Sequence, residues 1–254
     1  MLLTAGCTTV PITGRRQLSL VSDSEMNTLA ITQYKQTLGQ AKLSTNATEI
    51  AEVRRVGQRI SQAVELYFKQ QGQSAQLDGY QWEFNLIDDP KTANAWCMPG
   101  GKVAVYSGIL PLCKDENGLA VVMAHEISHA VAKHGAERMS DQLVAQYGGT
   151  ALSTALSQNP SATTNLFQQA VGVGTQVGLL KFSRRQESEA DHLGLIFMAM
   201  AGYNPEGAVP FWQRMEAQNQ STTPEFLSDH PADATRVADI KAQMPEALKY
   251  YKPR

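Results

Sequence analysis

Hydrophobic residues recur every three or four positions in the first part of the chain. Residues 23 to 42 and 47 to 71 both have this helical period and contain few helix-breaking residues. The apolar positions of the second segment are Ile50, Val53, Val56, Ile60, Val64 and Phe68. The pattern therefore predicts two helices, each with one apolar face turned toward a core.

The period then changes from helical to alternating. In residues 80 to 88, Trp82, Phe84 and Leu86 alternate with polar residues, which is typical of a half-buried strand. Residues 94 to 108 contain Pro-Gly-Gly between two short apolar runs. This arrangement predicts a hairpin or a tight turn between two strands.

The helical period returns at about residue 115. Asp115 and Glu116 suit the first turn of a helix, and the pattern continues to Gly135, a residue type that commonly follows a helix end. Further helices are predicted at residues 184 to 201, 206 to 218 and 232 to 243, with a loop from Pro224 to Pro231.

Residues 137 to 181 are apolar and rich in small residues, with an interruption at residues 158 to 164. This composition fits packed helices, a mobile lid or an element on a membrane surface. No repeat and no long linker separates the predicted elements. The sequence thus predicts one α+β domain over residues 21 to 254, mostly helical with a small β-sheet.

The composition narrows the classes of partner. The chain has 254 residues, of which 43% are hydrophobic and 18% charged, values that are ordinary for a globular protein. Its net charge of -2 gives no support for a nucleic-acid partner. No run of 18 or more apolar residues occurs, so no membrane-spanning helix is predicted.

The first seven residues, MLLTAGC, place a short apolar run and small residues directly before Cys7. This pattern resembles the end of a bacterial lipoprotein signal peptide, which is cleaved so that the cysteine thiol carries a lipid. Residues 1 to 20 are accordingly interpreted as a signal remnant and tether, because Pro11, Gly14 and polar residues follow Cys7. A lipid anchor predicts a periplasmic location at the outer membrane, since Thr8 rather than Asp follows the cysteine. The alternative is an ordinary N-terminus with an unrelated cysteine.

Two further cysteines, Cys97 and Cys113, leave two alternatives open. An even pair in an oxidising compartment favours a disulfide. The other alternative is two free thiols, because sequence alone does not bring the two Cα atoms within the limit of about 7 Å.

The sequence HEISH, residues 125 to 129, has the spacing of a zinc site. Residues four apart on a helix differ by only about 40° in direction, so His125 and His129 share one face and can bind one Zn²⁺. Glu126 lies beside them, where a carboxylate can act as general base on a water held by the metal. The apolar residues before the motif indicate a buried helix, in which ionisable side chains need partners.

His134 is a further histidine close to this motif. It follows His125 by nine residues, which corresponds to about 180° around a continuous helix. We therefore expect His134 to face away from the metal and to interact with the helix C-terminus, where the dipole favours histidine.

A catalytic zinc site usually takes three protein ligands, so one is missing from HEISH. The segment FSRRQESEADHLGL, residues 182 to 195, offers Glu187 and Asp191 on one helical face, whereas Glu189 points about 200° away from Glu187. We expect Glu187 to bind the metal and Asp191 to orient a histidine ligand. The alternative is a solvated charged face next to two arginines.

These two segments resemble family forty-eight of the metallopeptidases, the HtpX- and BepA-like gluzincins. The family pattern, H-E-x-x-H followed by E-x-x-x-D, corresponds to His125, Glu126, His129, Glu187 and Asp191. The segment NAWCMPGGKVAVYSGIL is also similar to the family's, and the resemblance extends over roughly residues 20 to 245. It implies a zincin-type domain whose small sheet lies above the active-site helix. Among family members, the compact bacterial lipoproteins are the most similar in organisation.

The resemblance implies further roles in the segment TPEFLSDHPADATR, residues 223 to 236. His230 is expected as a fourth ligand in a resting state or as a transition-state stabiliser, and Arg236 as a cation that neutralises charge nearby. The alternative for His230 is a loop residue that fixes a turn before Pro231. The strand from Val103 to Tyr106 is expected to be the edge at which an extended peptide adds to the sheet.

The resemblance implies an endopeptidase that contains one Zn²⁺ per chain and cleaves unfolded or misfolded envelope proteins. Its expected partners are protein or peptide substrates, the outer-membrane assembly machinery and, through the lipid, a membrane. Two other functions remain open. One is a chaperone-like or scaffold protein whose zinc is masked by His230; the other is a structural zinc protein with four protein ligands.

Overall fold

Helices form most of the computed structural model, which describes residues 6–147, 160–171, 182–219, 226–227, 230 and 235–253. Its strands are β1 (Gly6–Thr9), β2 (Arg16–Ser19), β3 (Glu83–Ile87), β4 (Ala95–Met98) and β5 (Lys102–Tyr106). Its α-helices are α1 (Asp23–Gln40), α2 (Ala47–Gln70), α3 (Leu110–Cys113), α4 (Glu116–Val131), α5 (His134–Tyr147), α6 (Pro160–Val171), α7 (Arg184–Met200), α8 (Ala208–Asn219) and α9 (Arg236–Ala247). The predicted α+β fold class, mostly helical with a small sheet, is confirmed.

The two N-terminal helices begin at side-chain caps. Ser22 and Glu25 form a capping box at the start of α1, and the Asn46 side chain accepts hydrogen bonds from two backbone amides at the start of α2. The predicted helices at residues 23 to 42 and 47 to 71 are confirmed to within two residues at each end. The apolar face of α2 packs against β3, α4 and α7.

The three-stranded sheet has the order β3-β5-β4. Strand β3 is parallel to β5, and β4 is antiparallel to β5. Between β4 and β5, Gly100 and Gly101 have φ angles of 76° and 80°, a region that favours glycine. The predicted strands are confirmed, but the prediction that Val103 to Tyr106 form an edge is wrong. Both other strands pair with β5, so within the described ranges β4 is the edge strand on its side of the sheet.

Residues 6–19 differ from the tether predicted for residues 1 to 20. Strands β1 and β2 pair antiparallel, from Gly6 with Ser19 to Thr9 with Arg16, and form an N-terminal hairpin. Val10 is buried in the main core. Polar residues that resemble a solvated linker in the sequence have buried partners in distant parts of the chain, so the hairpin packs onto the domain. Residues 1–5 lie outside the described part of the chain.

Helix α4 is the centre of the fold and is buried along nearly its whole length. It begins at Asp115, whose side chain accepts a hydrogen bond from the backbone amide of Gly118 at 2.8 Å. Helix α7 packs closely along α4, and this close approach is possible because Gly194 has no side chain. A Cβ atom at Gly194 would lie only 3.2 Å from the backbone nitrogen of His125.

Helix α4 ends earlier than predicted. It stops at Val131 rather than before Gly135, because Lys133 has a φ angle of 60° and interrupts the helical backbone. Helix α5 begins at the next residue, His134. The predicted helix therefore ends three residues early, and His134 belongs to the next helix rather than to this one.

Other predicted segments are described in part. Within residues 137 to 181, α5 and α6 pack against each other, which agrees with the packed-helix alternative for those two helices, and the rest of the segment lies outside the described residues. The loop predicted from Pro224 to Pro231 is described only at residues 226–227 and 230. The last helix is confirmed, although it begins at Arg236, four residues later than predicted. None of the helices in the described ranges is long and apolar enough to cross a membrane.

Cys97 and Cys113 are free thiols, so the structure has the second of the two alternatives and not the disulfide. Cys97 is on β4 and lines the pocket beside α4, whereas Cys113 ends α3, which packs against α4 and α8. Both side chains are buried in the main core. Burial raises the pKa of both thiols.

Candidate metal centre

The two histidines of HEISH lie side by side on α4. Their ring centroids are 4.7 Å apart, and the Nε2 atoms of His125 and His129 are separated by 3.1 Å. Both side chains are buried. The uninterrupted helical period through residue 131 produces this arrangement, as the spacing predicts.

Helix α7 brings a carboxylate to the same point. A capping box of Ser183 and Gln186 begins this helix, and Glu187 follows in its first turn. The carboxylate oxygens of Glu187 lie 3.5 Å from Nε2 of His125 and 3.5 Å from Nε2 of His129. The structure therefore places Glu187 where the sequence predicts the third ligand.

His230 completes a group of four. Its Nδ1 lies 3.2 Å from Nε2 of His125 and 2.9 Å from Oε1 of Glu187. Four donor atoms, one each from His125, His129, Glu187 and His230, all lie within 4.8 Å of one another. All four side chains are buried. The structure thus places His230 among the other three, in agreement with the position that the resemblance implies for it.

Asp191 lies one helical turn after Glu187 and contacts the back of a histidine ring. Its Oδ1 is 2.9 Å from Nδ1 of His125. A carboxylate only accepts hydrogen bonds, so Nδ1 of His125 carries the proton and Nε2 presents its lone pair to the group of four. This is the position that the sequence predicts for Asp191.

The donor set fits a zinc ion. The Nε2 lone pair of His125 points at Nε2 of His129, where a second lone pair would repel it unless a cation lies between them. Two nitrogens bound to one tetrahedral zinc at about 2.0–2.1 Å would be about 3.3 Å apart, close to the 3.1 Å found here. Three imidazoles and one carboxylate are typical zinc ligands. These residues therefore fit the predicted cofactor.

The protonation states of the group also suit a cation. Burial lowers the pKa of His129 well below its usual value, which keeps the ring neutral and its lone pair available. Burial alone would raise the pKa of Glu187, but His230, His125 and His129 hold it well below the usual range. His125 is the exception: burial lowers the pKa of its ring, but Asp191 and Glu187 outweigh burial and raise it, so a cation bound at Nε2 would displace a proton.

Arg236 begins α9 and lies against two of the buried carboxylates. It donates to Oδ1 of Asp191 at 2.8 Å and lies 3.1 Å from Oε2 of Glu187. Its guanidinium stacks on the ring of Trp212, 3.3 Å from the ring centroid. The predicted position near the acidic side chains is thus observed. Trp212 is a neighbour that the sequence analysis did not identify, because nothing in its local sequence indicates an arginine partner.

His134 does not face away from the site as predicted. Its Nδ1 is 2.9 Å from Nδ1 of His129, and its Nε2 is 3.3 Å from Oε2 of Glu189. The angular count assumed a continuous helix, and the bend at Lys133 invalidates it. His134 is nevertheless not one of the four grouped donors, so the expectation that it does not bind the metal agrees with the structure. Gly135, which the sequence predicts just after a helix end, was the signal for a helix break nearby.

A pocket opens beside the group of four, next to Glu126 and His129. The Oε1 atom of Glu126 lies 3.3 Å from Nε2 of His230. The apolar part of the pocket wall includes Met26, Ala95, Trp96, Ala130, Ala136 and Phe182. Besides Glu126, His129 and His230, the polar residues at the pocket are Asp23, Asn27, Gln76, Asp78, Tyr80, Asn94 and Lys133. The pocket thus lies next to the Glu126 carboxylate and to two members of the group of four, His129 and His230.

Comparisons with known proteins agree with this geometry. Over 243 residues, the chain is 35% identical to the mitochondrial metalloendopeptidase OMA1 of Schizosaccharomyces pombe. This alignment covers 94% of this chain and 66% of that protein. It is 28% identical over 246 residues to the mitochondrial metalloendopeptidase OMA1 of Homo sapiens, covering 94% of this chain and 46% of that protein. It is 31% identical over 169 residues to the β-barrel assembly-enhancing protease of Escherichia coli, covering 63% of this chain and 34% of that protein.

The chain therefore spans only about one third to two thirds of the length of these relatives. The family model named Peptidase family M48 matches residues 51–244, which is more than half of the chain and includes HEISH, Glu187 and Asp191. The family resemblance is thereby confirmed: the chain belongs to peptidase family M48.

Proposed function

We propose that this chain is a zinc-dependent endopeptidase in which His125, His129 and Glu187 hold the metal and Glu126 is the general base. The observation that carries the proposal is the convergence of these three donors beside Glu126 at the base of a pocket. A zinc ion with three protein ligands keeps a position for water, which is the arrangement of catalytic rather than structural sites.

Each residue has a separate task in this proposal. A zinc ion held by His125, His129 and Glu187 would supply the polarisation of the scissile carbonyl and the lowered pKa of the attacking water. Glu126 takes the proton of that water and delivers it to the leaving amine. Asp191 keeps the proton on Nδ1 of His125, and Arg236 offsets the negative charge of Glu187 and Asp191 in a buried setting.

His230 has two candidate roles at the same place. Its Nδ1 faces the other donors, which suits a fourth ligand that excludes water in a resting state. Its Nε2 faces Glu126. An Nε2–H group at this position suits a hydrogen-bond donor to the substrate carbonyl oxygen, which develops negative charge during cleavage. A change in the position of His230 would convert the first state into the second.

We propose that the substrate binds as an extended strand along β4. This edge strand borders the pocket, and Asn94, Ala95, Cys97 and Pro99 line it. Pairing with a strand edge uses backbone hydrogen bonds and reads few side chains. This mode of binding suits unfolded segments, because a folded protein has its backbone groups already paired.

The proposed substrates are unfolded or misfolded proteins of the bacterial envelope. The similarity to a β-barrel assembly-enhancing protease supports a role in quality control near the outer-membrane assembly machinery. In this proposal Cys7 carries a lipid that holds the domain at the periplasmic face of the outer membrane. The similarity to mitochondrial relatives is equally compatible with the same chemistry in another compartment.

A second candidate function is a zinc-binding chaperone or scaffold with little proteolysis. The position of His230 favours it, because four protein donors would leave no place for the attacking water. This candidate predicts stable binding of unfolded proteins without cleavage. Substrate cleavage therefore distinguishes this candidate from the protease, whereas zinc content does not.

The test compares the wild-type protein with Glu126→Gln, using casein as an unfolded substrate. We expect both to contain one zinc per chain, and the variant to lose cleavage by at least about a hundredfold, since general base catalysis contributes about 10²–10⁴. The matched control is Glu246→Gln on α9, whose partner is the partly exposed His192, and it should cleave at the wild-type rate. Absence of cleavage by zinc-loaded wild type would favour the chaperone.

A further inference from the structure

His134 lies on the far side of His129 from the group of four donors. It is fully buried at the start of α5, and its Nδ1 is 2.9 Å from Nδ1 of His129. Its other ring nitrogen faces the Glu189 carboxylate at 3.3 Å. Neither His134 nor Glu189 has a part in the mechanism described above.

The two contacts of His134 determine where its proton lies. Glu189 is a carboxylate that only accepts hydrogen bonds, so Nε2 of His134 carries the proton and donates to it. A neutral imidazole with its proton on Nε2 has a lone pair on Nδ1. That lone pair accepts the Nδ1 proton of His129, and Nε2 of His129 is left as the metal-binding atom. In the opposite tautomer, with the proton on Nδ1, the unprotonated Nε2 of His134 would face the Glu189 carboxylate, and both groups only accept hydrogen bonds.

Glu189 is held from the other side by the N-terminal hairpin. It accepts a hydrogen bond from Oγ1 of Thr13 at 2.8 Å and one from Nε of Arg15 at 2.7 Å. Arg15 also pairs with Glu137 in the first turn of α5. A continuous series of polar contacts thus joins the hairpin, through Glu189 and His134, to the ring of His129.

We propose that His134 and Glu189 are positioning residues for His129, and that the N-terminal hairpin is part of the metal site through Thr13 and Arg15. The proposal rests on the ligand role of His129 in the proposed function. Carboxylates on α7 then support both histidines of HEISH, because Asp191 contacts His125 directly and Glu189 acts on His129 through His134. Losing the hydrogen-bond partner of a metal-binding histidine typically lowers metal affinity by about 10- to 100-fold.

A purely structural role for these residues has a different signature. The hairpin also stabilises the end of α4, since the side-chain amide of Gln17 donates to the carbonyl of Ala132 at 2.7 Å. Variants that only weaken packing would lower the unfolding temperature of the metal-free protein and leave zinc affinity of the folded protein unchanged. Zinc affinity and stability must therefore be measured separately.

The test uses two replacements of His134. His134→Leu fills similar space but neither accepts from His129 nor donates to Glu189, whereas His134→Gln keeps one acceptor and one donor. The matched control is His192→Leu on α7, which breaks a histidine–glutamate pair with Glu246 at 2.8 Å that does not touch the metal site. Zinc affinity is measured by competition with a chromogenic chelator, and ligand geometry by the visible absorption of the Co²⁺-substituted protein. The unfolding temperature is measured on the metal-free protein.

We expect His134→Leu to weaken zinc binding by about tenfold or more and to change the Co²⁺ spectrum. His134→Gln should recover most of the affinity, and His192→Leu should match wild type. Wild-type affinity and spectrum in His134→Leu would overturn the proposal while the proposed function stands. A wild-type protein that binds no zinc would overturn both. If His134→Leu fails to fold, Glu189→Gln is measured instead. It should also weaken zinc binding, and an unchanged zinc affinity would overturn the proposal.

Discussion

Asp191 and His125 form a buried pair in which the carboxylate oxygen lies 2.9 Å from Nδ1 of the ring. The contact fixes the ring so that Nε2 faces the other three donors of the metal centre. Arg236 donates to the same carboxylate oxygen at 2.8 Å, so the negative charge of Asp191 is balanced without proton transfer from the histidine. Burial would raise the pKa of Asp191, but Arg236 and His125 hold it below its usual value.

We expect Asp191→Asn to weaken zinc binding by about 10- to 100-fold, because the amide lacks the charge that polarises the His125 ring. The amide has nearly the same shape, so the protein should remain folded. Competition with a chelator measures the affinity. Asp239→Asn on the exposed side of α9 is the matched control and should bind zinc as wild type does. An Asp191→Asn protein with wild-type affinity would contradict the assigned role of the pair.

Removing the metal should abolish activity without unfolding the protein. The core around α4 consists of apolar side chains that pack against α2, α7 and the sheet, and this packing does not depend on the metal ligands. We therefore expect a chelator to eliminate casein cleavage while far-ultraviolet circular dichroism stays nearly constant, and added zinc to restore activity. Loss of helical signal in parallel with loss of zinc would instead indicate a structural site.

The relative positions of His125, His129, Glu187 and Asp191 could be predicted because each pair lies within one uninterrupted helix. The helical period then fixes the direction of each side chain. The position of His134 could not be predicted in the same way, because Lys133 has a positive φ angle that interrupts the helix. The direction of the side chains after Lys133 no longer follows from the helical count. A single residue with positive φ leaves no strong mark in the sequence unless it is glycine or asparagine.

The hairpin and the sheet order depend on contacts between distant parts of the chain. Arg15 has its partners 122 and 174 residues away, at Glu137 and Glu189, so its local sequence resembles a solvated linker. The central position of β5 results from a parallel pairing with β3 that skips β4. Alternation of apolar residues predicts that a strand exists but not which strands lie beside it.

The pairing of Arg15 with Glu137 should make stability depend on pH. Burial would raise the pKa of Glu137, but hydrogen bonds from Arg15 and Gln186 lower it below its usual value. The stabilisation is therefore present above the unfolded-state pKa of about 4.5 and is lost as the pH falls through the lower, folded-state value.

We expect the wild-type free energy of unfolding to fall between pH 6 and pH 3 by more than that of Arg15→Met, which lacks the partner of Glu137 and Glu189. Urea unfolding at several pH values measures the difference. Arg55→Met, which removes an exposed pair with Glu116, is the control and should follow the wild-type pH dependence more closely. Identical curves for wild type and Arg15→Met would show that the pair does not contribute.

Gly194 sets the distance between α7 and α4 at the metal centre. A Cβ atom there would lie 3.2 Å from the backbone nitrogen of His125 and 3.3 Å from the backbone carbon of Ala124. These neighbours belong to a buried helix and cannot rotate away as a side chain can, so the two helices must separate slightly. Because α4 carries His125 and α7 carries Glu187, that separation changes the spacing of two of the four donor side chains.

We expect Gly194→Ala to destabilise the protein by about 1–3 kcal/mol, the usual cost of overpacking, and to weaken zinc binding as well. Gly39→Ala is the matched control, because that glycine is also helical and nothing lies within 4 Å of the added atom. The control should be neutral or stabilising by up to about 1 kcal/mol, since alanine is the better helix former. Urea unfolding and chelator competition on both variants separate packing from metal binding. If Gly194→Ala lost stability but kept wild-type zinc affinity, the helix spacing would support the fold without setting the geometry of the metal centre.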